Sequence, residues 1–145
     1  MITMAILQPV VALTIWTMVM WVWMYSTRLP AVSAAKVDFD RMVREPGLTL
    51  DTVLPPQVQW KAHNFTHLHE SPTVFYAVCL VLAITGEGGG HGVQAAWAYV
   101  AIRVVHSIVQ ATVNKVPLRF LLFVLSSLCL MALIARAAQV VFGFV

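Results

Sequence analysis

Apolar residues run almost unbroken through four stretches of the chain, at about residues 5–29, 58–85, 93–113 and 118–143. Polar residues gather at the joints and at a few positions inside the second and third stretches. A helix of about 20 apolar residues, rising about 1.5 Å each, spans the ~30 Å hydrocarbon core of a bilayer. The pattern therefore predicts an all-α membrane protein, a bundle of four transmembrane helices forming one domain over residues 1–145. Its main solvated loop is expected at about residues 30–57. The first stretch ends in Trp21, Trp23 and Tyr25 and then Arg28, the order that marks a membrane–water interface.

A cleavable leader is the competing reading of the first 30 residues, since Ala31-Val32-Ser33 is small enough to be cut. No Lys or Arg precedes the apolar run, and the run exceeds the usual length of about 7 to 15 residues, so a retained span is expected. The segment Gly86-Glu87-Gly88-Gly89-Gly90-His91-Gly92 lacks the Lys-Ser/Thr and the preceding strand of a phosphate loop. It reads as a flexible hairpin between two spans.

Composition agrees with a lipid-facing surface. Hydrophobic residues make up 60% and charged residues 10% of the 145-residue chain, against roughly 25% charged in soluble domains. The formal charge of +3 raises the question of nucleic acid, but the basic residues form neither patch nor stripe, so no nucleic-acid partner is expected. They instead follow the joints: Arg28, Lys36, Arg41, Arg44 and Lys61 flank the first connection, and Lys115 and Arg119 flank the third. Positive charge favours the cytoplasmic side, which puts both polar loops there and both termini outside. Cys79 and Cys129 sit in apolar runs and read as small core residues. Arg136, alone in the last stretch, is expected to snorkel to the interface.

The polar residues inside the spans carry the functional argument. In the third stretch Arg103, His106, Ser107, Gln110 and Asn114 fall within roughly 100° of helical arc, a single stripe. In the second, His63, His67 and Glu70 share one face, with Asn64 at its edge and His69 pointing elsewhere. Glu70 lies about 14 Å along its helix from Lys61, and Arg103 lies about 16 Å from Asn114 on the antiparallel neighbour, so the two depths match. A lone charge in hydrocarbon is expensive, and Glu70 is expected to pair with Arg103 or His106, within or across subunits. The network reads either as glue between helices or as the lining of a pocket for an anionic ligand, because basic and amide groups outnumber Glu70. His63, His67 and Glu70 are also ligand types at i, i+4, i+7, but no second cluster completes a metal site, and none is expected.

These residues resemble the MAPEG family, the membrane-associated proteins of eicosanoid and glutathione metabolism. Arg103-Val104-Val105-His106-Ser107 followed by Pro117-Leu118-Arg119 is similar to the family's third-helix segment in residue type and spacing. The second-helix pattern, Arg-Ala-His-x-Asn-x-x-Glu with a later Pro, is approached by Lys61-Ala62-His63-Asn64 through Glu70 and Pro72. The run from His67 to Ala77 resembles a bacterial branch. The resemblance implies a trimer of four-helix chains, in a bacterial inner membrane, with glutathione bound between subunits near the cytoplasmic face. It implies that Glu70 holds the peptide's amino end, that Arg103 and Arg119 hold its carboxylates or thiolate, and that Lys61, Asn64, His67, His106 and Gln110 complete the site. Arg119 is the implied thiol activator, since a neighbouring cation favours the thiolate. Two hydroxyls of the family pattern are replaced here, by Gln110 and by Phe120.

Two functions follow as expectations. One is a glutathione-dependent transferase or peroxidase acting on an apolar electrophile that arrives through the bilayer. The other is a non-enzymatic scaffold or lipid-binding protein of the same fold. A transporter is disfavoured, because neither paired repeats nor matching broken helices are evident.

Overall fold

The computed structural model describes residues 2–143; residues 1, 144 and 145, which the single domain was expected to include, lie outside the described residues. Its described residues fold into helices without strands. They are α1 (Leu7–Ala34), α2 (Phe39–Arg44), α3 (Leu50–Val53), α4 (Pro56–His67), α5 (Ser71–Ile84), α6 (Gly90–Thr112) and α7 (Val116–Phe142). Four units are long and apolar enough to cross a membrane: α1, α4 with α5, α6 and α7. The chain is therefore an all-α four-helix membrane bundle.

α1 continues past Pro30, although a proline removes one helical hydrogen bond. Ala31, Ala34 and Ala35 follow it, and strong helix formers sustain the last turn. The loop beyond is not wholly irregular. Asp38 caps α2, its carboxylate accepting from the Arg41 N–H at 3.0 Å, and Arg41 bonds Glu45 at 2.9 Å. That carboxylate raises the pKa of the Arg41 guanidinium, first through the hydrogen bond and then through charge.

The second span is broken. α4 ends at His67 and α5 begins at Ser71, because Pro72, in the first turn of α5, has no N–H for the Leu68 carbonyl and its ring crowds that carbonyl. Glu70 occupies the joint with φ −89° and ψ −97°. At the opposite membrane face Gly86, with φ 81°, closes α5 in the left-handed conformation that glycine adopts freely. Gly88 then passes so close to Ile6 that a Cβ there would stand 2.5 Å from the Ile6 side chain.

α1 packs on α4, α5 and α6, and α6 lies along α7. The core takes Leu13, Met20 and Met24 from α1, Phe75, Cys79 and Leu82 from α5, Tyr99 from α6 and Leu133 from α7, all buried. Phe75 stacks on Tyr99 with centroids 4.4 Å apart. Outward positions such as Ile15, Met18 and Val22 on α1 and Leu121, Leu128 and Met131 on α7 are exposed apolar residues, the composition that a lipid surface or a neighbouring protomer requires.

Candidate functional site

The stripe on α6 is buried along its length, with Arg103 3%, His106 5%, Ser107 0% and Gln110 1% exposed. Lipid is excluded from these groups, and neighbouring helices bond Ser107, Gln110 and part of the Arg103 guanidinium. Asn64 on α4 donates to Ser107 Oγ at 2.5 Å, and His67 Nδ1 lies 3.1 Å from Gln110 Oε1. Asn64 and His67 are thus the α4 residues that meet α6. His63 turns away, its Nε2 lying 3.1 Å from Oδ1 of Asp51 on α3. The face expected from His63, His67 and Glu70 is therefore rotated by one residue, because His63 and Asn64 are both polar and helical period alone does not choose between adjacent positions. No group of three His, Cys, Asp or Glu among the described residues is placed to hold a metal ion.

Glu70 makes no ion pair with Arg103 or His106 among the described residues of one chain. The break at Pro72 swings Glu70 to an exposed position, and Ser71 takes its place. Arg103 Nη2 donates to the Ser71 hydroxyl and reaches the His67 carbonyl at 3.4 Å. Ser71 Oγ lies 3.1 Å from the Tyr99 hydroxyl, and the guanidinium carbon stands 5.8 Å from the Tyr99 ring centroid. Sequence reasoning missed Ser71 and Tyr99. Tyr99 was visible in principle, one helical turn before Arg103 on the same face.

Beside this network opens a cleft of about 270 Å³ lined by His67, Glu70, Ser71, Arg103, His106 and Arg119. Its remaining wall is apolar, formed by Val116, Phe120 and Phe123. Arg119 is held in the first turns of α7, its Nη1 donating to Asn114 Oδ1 at 2.6 Å. Asn114 sits in the α6–α7 turn at φ 49°, a conformation that Asn tolerates better than most residues. The Nε atoms of both Arg103 and Arg119 are buried without a partner. Two cations with unspent donors beside one rim carboxylate make a site for a ligand with more negative than positive groups.

Among the expected binding residues, Glu70, Arg103, His106, His67 and Arg119 share this cleft, whereas Asn64 and Gln110 lie buried behind it. Lys61 is elsewhere, its Nζ 5.4 Å from the Trp23 ring centroid and 2.9 Å from the Gln57 carbonyl. A larger cavity of about 650 Å³ lies under the glycine hairpin. Its Arg136, expected to snorkel alone, is paired with Glu87 at 2.6 Å.

No curated protein and no solved structure matches the chain. The family model of the MAPEG family matches residues 6–139, nearly the whole of it, and this four-helix membrane chain belongs to that family.

Proposed function

We propose that the protein is a glutathione-dependent transferase or peroxidase that acts on an apolar electrophile reaching it through the bilayer. The observation that carries this reading is the cleft that Arg103, Arg119 and Glu70 line together with the apolar side chains of Val116, Phe120 and Phe123. Glutathione carries two carboxylates, one ammonium and a thiol that reacts as the thiolate, so two guanidiniums and one carboxylate, that of Glu70, match its excess of negative groups. The family's association with glutathione metabolism supports the same ligand.

In this reading Arg103 and Arg119 hold the carboxylates and the sulfur, and Glu70 holds the ammonium. A thiolate is the nucleophile such chemistry needs, and the fixed charge of Arg119 beside the first turn of α7 favours it over the thiol. Val116, Phe120 and Phe123 offer the apolar electrophile a surface continuous with lipid-facing positions. The cleft of one chain is slightly smaller than the roughly 300 to 1,000 Å³ of ordinary ligand pockets. A neighbouring protomer closing over exposed Glu70 and Phe120 would complete it, in keeping with a homotrimer. The Lys and Arg distribution supports a cytoplasmic site with both termini outside, and the branch resemblance supports a bacterial inner membrane.

A second reading, a lipid-binding scaffold without turnover, is favoured by one observation. Phe120 puts an exposed ring at the cleft where a hydroxyl would assist the thiol. One experiment separates the two. Detergent-solubilised protein should melt at a higher temperature with glutathione, because a ligand that binds only the folded state stabilises it, and should conjugate a generic electrophile. No thermal shift and no conjugation would leave the scaffold reading standing.

A further inference from the structure

His67 is positioned twice. Its carbonyl accepts from Arg103 at 3.4 Å, and its Nδ1 lies 3.1 Å from Oε1 of Gln110, a side chain only 1% exposed. An amide oxygen can only accept, so the tautomer that bonds Gln110 Oε1 in this arrangement is the one with its proton on Nδ1. The other nitrogen, Nε2, then presents a lone pair, on a ring that lines the cleft. The charged and titratable groups around that cleft are Arg103 and His106 from α6, Arg119 from α7 and Glu70 at the joint before α5, and α1 contributes none.

We propose that His67 is the proton acceptor for the bound thiol and that Gln110 is the positioning residue that holds its ring in the accepting tautomer. The proposal rests on the glutathione reading above. The thiol proton passes to Nε2, giving an imidazolium, and the thiolate stays beside Arg119. With an activated alkene as acceptor, a sulfur lone pair forms the S–C bond while the alkene π pair moves to the adjacent carbon. That carbon takes the proton back from Nε2, so His67 ends as it began and no further reactant is needed.

His67→Asn tests the step, because an asparagine amide keeps an N–H near the Nδ1 position for Gln110 but has no acceptor in place of Nε2. The full-length variant should bind S-methylglutathione as the wild type does. Its kcat for conjugation of an activated alkene should fall about 100-fold, the lower range for loss of a general base. Its pH–rate profile should lose the limb set by His67 and rise only where the thiol ionises unaided. Gln110→Glu, which keeps an acceptor for Nδ1, should retain turnover, and Gln110→Leu should lose it. Unchanged kcat and pH profile in His67→Asn would overturn the proposal while glutathione binding stood. Wild-type protein that fails to bind S-methylglutathione would overturn both readings together. If His67→Asn does not assemble, equal rates in the two Gln110 variants overturn the assignment.

Discussion

The side-chain amide of Asn64 on α4 donates to the hydroxyl of Ser107 on α6 across 2.5 Å, between residues 1% and 0% exposed. This bond fixes the rotation of α4 against α6, and with it the approach of His67 to Gln110 one turn further on. Interhelical bonds of this kind in membrane bundles average about 0.6 kcal/mol and reach about 1.7 kcal/mol in double-mutant cycles. An Asn64→Ala, Ser107→Ala cycle should therefore give a coupling of about 0.5–2 kcal/mol in denaturing-detergent unfolding. Strict additivity would mean that the two side chains do not hold the helices in register.

Pro72 shapes the cleft through the backbone. Pro72→Ala restores an N–H within reach of the Leu68 carbonyl and favours a continuous α4–α5 helix, which would carry Ser71 away from Arg103. The variant should remain folded, with helix content by circular dichroism equal to or above wild type. Glutathione affinity by calorimetry should fall at least about tenfold, about 1.4 kcal/mol. Undiminished affinity would separate the break from ligand binding.

Arg119 is the cation placed beside the apolar wall. Arg119→Ala should lower kcat for conjugation by about 100-fold or more, the size of loss seen when one donor to a developing anion is removed. Arg119→Lys should recover part of it, since a point charge remains but the guanidinium bond to Asn114 is lost. Equal rates in wild type and Arg119→Ala would move thiolate stabilisation to another group.

The glycine hairpin offers a steric contrast between neighbours. A Cβ at Gly88 would stand 2.5 Å from Ile6 Cγ2, on a fully buried β-branched side chain, whereas a Cβ at Gly89 meets nothing within 4 Å. Gly88→Ala should destabilise by about 1–3 kcal/mol through overpacking. Gly89→Ala should stay within about 0.5 kcal/mol of wild type. Melting temperatures of the two variants in the same detergent give the comparison.

At that same face Arg136 and Glu87 are paired while both remain nearly half exposed. Solvent screening keeps such a pair weak, at most about 1 kcal/mol. Glu87→Gln should lower the melting temperature only slightly, and the difference should shrink as salt is raised. A large, salt-insensitive loss would place the pair in a far drier setting than its exposure indicates.

The α6 stripe could be read before folding because hydrocarbon tolerates few polar groups, so Arg103, His106, Ser107 and Gln110 had to share one face. Ser71 carried no such signal. A serine beside a proline near a membrane span is ordinary, and it becomes the partner of Arg103 only because the helix breaks there. Glu70 carried the stronger signal by charge, yet the joint exposes it.

Sequence by itself determined that this chain crosses a bilayer as four helices and that the third presents one polar face, because both follow from the period of apolar residues and the cost of burying charge. Only the tertiary structure decided that Asn64 and His67, in place of His63, meet that face, and that Arg103 is held by Ser71 while Arg119 leans on Asn114. A helical period fixes which residues lie together on one cylinder, but the rotation of that cylinder against its neighbour is set by packing and by the break at Pro72.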